Sequence, residues 1–179
     1  MWPRALGLLI LLVLGGCSFI AAPDVGARPR DPTSLAFPFQ SYMQPAEARR
    51  LSKGLPWNEQ TPSSHPASPG CPAFEMLVVK LKPWTDHGDT GELWLEFVNN
   101  RLEATRFFPA TFHAYLADLR GAGIQAPNND EERVAGKITS PPRTVLEAVP
   151  DADPPFVWWY DKALFLEDIA WGAHCDSSN

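Results

Sequence analysis

Glu92-Leu93-Trp94-Leu95-Glu96-Phe97-Val98-Asn99-Asn100-Arg101-Leu102-Glu103-Ala104-Thr105-Arg106-Phe107-Phe108 is the stretch that decides the fold. Two runs that alternate apolar and polar residues flank Asn99-Asn100, and asparagine tolerates the positive φ that a two-residue hairpin turn demands. The spacing predicts a hairpin of residues 92–98 and 101–108, with Phe97 opposite Leu102 and Leu95 opposite Ala104 on an apolar face. The other face then sets Glu96 opposite Glu103.

Working outward toward the amino terminus, Met76-Leu77-Val78-Val79 marks a strand over residues 74–82. Residues 45–54 are punctuated as a helix: Pro45 opens it, Glu47 sits in the first turn, Arg49, Arg50 and Lys53 in the last, and Gly54 closes it. Ala48, Leu51 and Leu55 form its apolar stripe. Residues 56–70 hold four prolines and three serines, which predicts a mobile loop with Trp57 as its one anchor.

Toward the carboxyl terminus, Phe112, Tyr115, Leu116 and Leu119 recur at helical spacing, so residues 109–120 form an amphipathic helix that Gly121 and Gly123 end. Residues 121–142 are expected as a second mobile loop, with a short strand around 134–138. Strands follow at 143–149 and 156–161. In residues 164–173, Leu166, Ile169, Ala170 and Ala173 fit a helix, whereas Ile169, Trp171 and Ala173 alternate as in a strand; we read a helix. The sum is a single α+β domain, an antiparallel sheet with two or three helices packed on one face.

The formal net charge of the 179 residues is −6. Nucleic acid and anionic lipid surfaces are recognised by clustered Lys and Arg, so this balance argues against both as partners of the domain surface.

At the amino terminus Arg4 precedes the apolar run of residues 5–14, and Leu14-Gly15-Gly16-Cys17 follows. A membrane span needs about 20 apolar residues, more than this run supplies. A charged start, a short apolar run and small residues beside a cleavage point are the parts of an export signal. The pattern resembles the type II signal peptide of bacterial lipoproteins. That resemblance implies removal of residues 1–16, acylation of Cys17 and attachment to a membrane through lipid. Residues 17–35 are then a lipidated cysteine and flexible tether, with 36–179 as the domain. Ser18, in place of an acidic residue, implies the outer membrane, facing the periplasm.

With Cys17 taken by lipid, Cys71 and Cys175 remain. An even pair in an exported protein reads as a disulfide. Free thiols for metal or redox work would need a neighbouring thiol or histidine cluster, which the chain lacks.

Each chemical candidate stands against a plainer reading. Asp86-His87-Gly88-Asp89 offers two carboxylates and an imidazole to a metal, but the glycines around it make it a solvated turn. Glu96 and Glu103, about 5 Å apart at Cβ if directly opposed, suit a glycosidase pair in a cleft; on a sheet face beside Arg101 and Arg106 they are a screened charge patch. His113 and His174 are isolated, and no nucleophile elbow, phosphate loop or zinc motif occurs. Trp84, Trp94, Trp158, Trp159 and Trp171 offer stacking surfaces for sugars or a partner, although strand aromatics usually enter the core. Since neighbours on a strand face opposite ways, one of Trp158 and Trp159 must leave the main core for a second layer or a binding surface.

The helix ending at Gly54 and the hairpin LEFVNNRL of residues 95–102 are similar to the small-protein-A type of β-barrel-assembly lipoproteins over residues 40–108. The hairpin from Gly91-Glu92-Leu93 onward also resembles exported proteins of no assigned activity. Neither resemblance carries a site residue over. The expected function is therefore a lipid-anchored, non-catalytic binding or assembly module with an envelope protein partner and no cofactor. The alternatives are an anchored hydrolase of cell-wall glycans using Glu96 and Glu103, and a periplasmic immunity or inhibitor lipoprotein.

Overall fold

The hairpin forms as β3 (Asp89–Val98) and β4 (Arg101–Pro109), joined through Asn99 and Asn100 at φ 48° and 62°. Asn99 also ties the turn to the next strand: its Oδ1 accepts from the Glu75 amide at 2.8 Å and its amide group donates to the Ala73 carbonyl at 3.1 Å. The structure, a computed structural model, describes residues 31–52, 54–124 and 143–175. The expected signal segment, Cys17, most of the tether, the 134–138 strand and most of the 121–142 loop lie outside the described residues.

Among the described residues one antiparallel sheet of six strands runs in the order β1-β2-β3-β4-β6-β5, adding β1 (Asn58–His65), β2 (Phe74–Asp86), β5 (Thr144–Val149) and β6 (Phe156–Asp161) to the hairpin. Among the described residues three helices, α1 (Pro45–Leu51), α2 (Phe112–Gly121) and α3 (Lys162–Cys175), complete a single α+β domain. The fold class is as expected. The placement of the helices on one face is corrected: α1 and α2 cover one face, and α3 lies over the other.

Period-two alternation divides the sheet. On the first face Val79, Leu81, Leu93, Leu95, Phe97, Leu102, Phe107, Val157 and Trp159 meet Ala48 of α1 and Phe112, Tyr115, Leu116 and Leu119 of α2 in the main core. On the second face Phe74 and Val98 meet Trp171 and Cys175 of α3, and Ala104, Val145 and Tyr160 pack near Phe165 of the same helix. A sheet that is apolar on one half of its second face needs a cover there, and α3 supplies it.

Three further expectations are corrected. Residues 56–70 are not a loop throughout, because residues 58–65 pair with β2 as an edge strand. Pro62 falls where the register shifts between Gln60 and Ser63, the kind of edge position at which a strand tolerates a residue without an N–H. Its side chains are mostly exposed, so no apolar alternation betrays it. The tether ends earlier than residue 35, since Thr33 is buried and Leu35 belongs to the main core. The third is the hairpin register: Phe97 faces Leu102 as expected, but a bulge sets Leu95 opposite Thr105 and Glu96 opposite Ala104.

The ambiguity at residues 164–173 resolves as a helix because Asp161 ends β6 and caps α3. Its Oδ1 accepts from the Ala163 amide at 2.9 Å, and its Oδ2 accepts from Arg143 at 2.9 Å. Arg143 also donates to the Tyr42 hydroxyl and the Asp31 carbonyl, which ties the entering chain to the β5–β6 end of the sheet.

Gly91 marks a close approach between strands. A Cβ there would run into the backbone carbonyl of Phe108. Gly91→Ala should therefore lower stability by about 1–3 kcal/mol through overpacking, read as a shift in the urea midpoint without a change of slope. A midpoint equal to wild type would contradict the close approach.

Candidate functional site

Glu96 and Glu103 are brought together, though not as an opposed pair. The bulge turns Glu103 and Ala104 toward the same face as Glu96, beneath α3, and the two glutamate residues are 5% and 3% exposed. Glu96 is ion-paired with Arg106 at 2.7 Å and accepts from Trp158 Nε1 at 3.2 Å. Glu103 has one buried oxygen, Oε2, without a hydrogen-bond partner. Burial pushes its pKa up to about 8; repulsion from Asp168 and Glu96 adds to that, and Arg101 opposes it. Burial also raises Glu96, against the pull of Arg106, and raises Asp168 on α3.

This cluster is shielded rather than offered. Neither glutamate lines either of the two grooves described below, and both are buried near Asp168 of α3. A glycosidase pair stands in a cleft with room for a sugar between its carboxylates, whereas Glu96 and Glu103 are both buried.

The Asp86–Asp89 turn is occupied by structural duties. Asp89 accepts from the Thr90 and Thr111 amides, holding the start of α2 against the turn. Asp86 is buried and accepts a hydrogen bond from the Tyr115 hydroxyl. Burial raises the Asp86 pKa, partly offset by that bond. Among the described residues no group of three or more His, Cys, Asp or Glu side chains is arranged to hold a metal. His113 and His174 are both exposed, on α2 and α3.

Trp159 enters the main core edge-on to Tyr115, at 6.3 Å between ring centroids. Trp158 faces the other way, into the second layer, where Phe165 of α3 meets it edge-on at 5.3 Å. Cys71 and Cys175 form a disulfide with Cα atoms 5.6 Å apart, closing a span of 104 residues. No helix among the described residues is long and apolar enough to cross a membrane.

α3 covers only part of the second face. Beyond its edge, side chains of β2, β3, β4 and β6 form a groove of about 700 Å³ lined by Trp94, Phe108, Phe156, Arg106, Lys82 and Glu92, among others. Register explains its composition: Lys80, Trp94, Arg106 and Trp158 are successive cross-strand partners, and Glu92 and Phe108 pair in the next row. The rings of Trp94 and Phe108 are 4.7 Å apart and those of Phe108 and Phe156 5.2 Å, tilted by 47° and 45°. Two pairs of charges meet there: Glu92 accepts from Trp94 Nε1 at 2.6 Å and meets Lys82 at 3.4 Å, while Arg106 lies over Phe156 and Trp158 and binds Glu96; Asp153 also lines the groove, and Lys80 lies over the Trp94 ring at 4.0 Å.

The sequence marks Trp94 by its type alone, and Phe108 and Phe156 only as strand positions. Their common face follows from alternation once the bulge is known. A second groove, of about 680 Å³, lies where Phe37 and Arg50 approach Trp84 and Asp86; Phe37 is 80% exposed there.

The fold and this surface define a small α+β protein with a disulfide-tied helix and an open aromatic groove. No protein-family model matches the chain, and no curated protein matches it significantly.

Proposed function

We propose that the protein is a lipid-anchored binding module of the bacterial cell envelope, held at the outer membrane through acylated Cys17 and acting without catalysis. The observation that carries this reading is the Cys71–Cys175 bond. It implies an oxidising compartment, and it leaves Cys17, at the end of Leu14-Gly15-Gly16-Cys17, as the third and odd cysteine. Thr33 and Leu35 enter the fold at once, so residues 18–30 are the length of chain between the lipid and the domain. One acyl chain binds only marginally, whereas two or three hold firmly. The aromatic groove is the surface such a module would present to a ligand or an envelope partner.

Cys17→Ser should abolish acylation, leave the signal segment uncleaved by the lipoprotein route and release the protein from the membrane fraction. Intact mass and fractionation after expression in a Gram-negative host check this. Retention of the acyl mass in the variant would refute the anchor.

A further inference from the structure

We infer that the outer side of α3 is a membrane-resting surface, which lays Leu166, Ile169, Ala170 and Ala173 on the lipid bilayer that the anchor at Cys17 reaches. The membrane in this inference rests on the anchor reading, whereas the surface is a property of the fold. In α3 the usual order of sides is inverted. Leu164, Trp171 and Cys175 are buried toward the sheet, and both acids of the helix join them there: Glu167 pairs with Arg101 at 3.0 Å, and Asp168 acts on Glu96 and Glu103. The outer side is apolar. Leu166 and Ile169 are 52% and 50% exposed, with Ala170 and Ala173 exposed beside them, and along residues 162–175 its ionisable side chains are Lys162 at one end and His174 at the other. A helix that is apolar on both sides is one that is covered on both sides. The sheet covers one.

The point at which the chain enters the domain selects what covers the other. Arg143 donates to the Asp31 carbonyl at 2.7 Å and to Asp161 Oδ2 at 2.9 Å, and Asp161 caps α3. Asp31 is thus fastened beside the amino end of the helix, and Leu166 follows about 6 Å along its axis from Lys162. Residues 18–30 separate Asp31 from Cys17 and span at most about 50 Å however they are arranged, little more than the width of a domain this size. An anchor this close keeps the bilayer at high local concentration, so two half-exposed aliphatic side chains suffice for a contact that would not hold a free domain. A second copy fits less well, because the 14 residues of α3 make a strip whose area falls well short of the roughly 800 Å² per partner of a stable dimer. The acidic balance of the domain does not oppose the contact, since this side of α3 carries no acid to meet headgroup phosphates and Lys162 extends its charge toward them.

The test uses the full-length acylated protein in phosphatidylcholine vesicles, with a polarity-sensitive fluorophore on Ile169→Cys. With Cys17 acylated and Cys71 bonded to Cys175, the added thiol alone takes the label. Lipids brominated near the headgroup should quench the label at 169 roughly fivefold more than the same label on Ala117→Cys, exposed on α2 over the opposite face of the sheet. Ala170→Cys serves as the probe if Ile169→Cys does not fold. Leu166→Glu, added to the labelled protein, should cut the quenching several-fold and leave the acyl mass as it was. Equal quenching over the two faces overturns the inference, as does quenching that Leu166→Glu leaves unchanged. So does an emission shift that follows protein density instead of lipid bromination, the mark of a second copy. Acylation is read separately by intact mass: an acylated protein without quenching at 169 removes the surface and leaves the anchor standing, whereas a protein without the acyl mass removes both.

Discussion

Raising the pH from 5 to 8 should destabilise the fold by up to about 4 kcal/mol, and Glu103→Gln should remove most of that dependence. Burial pushes the carboxyl up to about 8 in the folded protein against an ordinary 4.5. Between those values the folded state holds a proton that the unfolded chain has released. Unfolding then sheds a proton, and stability falls by about 1.4 kcal/mol per pH unit across the window. The stabilisation is complete below 4.5 and is lost as the pH rises through 8. Burial raises Glu96 and Asp168 in the same direction. Gln keeps the shape of Glu103 without an ionisable group. The variant should match wild type within about 1 kcal/mol at pH 5 and exceed it at pH 8. Urea denaturation at pH 5, 6.5 and 8 checks both; a wild-type stability that is flat or rises over this range would show that Glu103 ionises freely.

How far the sequence discloses this arrangement depends on what each residue must decide. Asn99-Asn100 sets a turn locally, so the hairpin is legible, as are β5, β6 and the apolar stripe of α2. The bulge beside Glu103 is not, because nothing in Arg101-Leu102-Glu103-Ala104 distinguishes an extra residue from regular pairing. That single residue decides whether Glu103 opposes Glu96 or is turned beneath α3 next to it. β1 is hidden for another reason: Asn58-Glu59-Gln60-Thr61-Pro62-Ser63-Ser64-His65 pairs through backbone alone and buries little. α3 escapes periodicity because its residues touch the sheet along only part of its length, leaving Leu166 and Ile169 exposed. Its start is written in Asp161, a capping residue after a strand. The aromatic groove was visible only as a set of residue types, since its common face depends on cross-strand register.

Breaking the Cys71–Cys175 bond, by reduction or by Cys71→Ala with Cys175→Ala, should cost up to about 4–5 kcal/mol, the entropy of closing a loop of 104 residues in the unfolded chain. The folded end of α3 keeps other attachments. Trp171 stacks on Phe74 at 4.4 Å and donates to the Pro72 carbonyl at 2.9 Å, and Asp161 still caps the opposite end. The helix should therefore remain in place on average but open more readily from its carboxyl end, and the same helix shields Glu103. Each opening admits water to that carboxyl and favours its ionised form. Reduction is thus expected to lower stability and also to flatten the fall between pH 5 and 8, because part of the burial that holds the Glu103 proton is lost with the clamp. Urea curves of oxidised and reduced protein at the two pH values separate these effects. Equal loss at both would mean that the bond acts on the unfolded chain alone, whereas a smaller loss at pH 8 would mean that the disulfide also keeps α3 closed over the carboxylates.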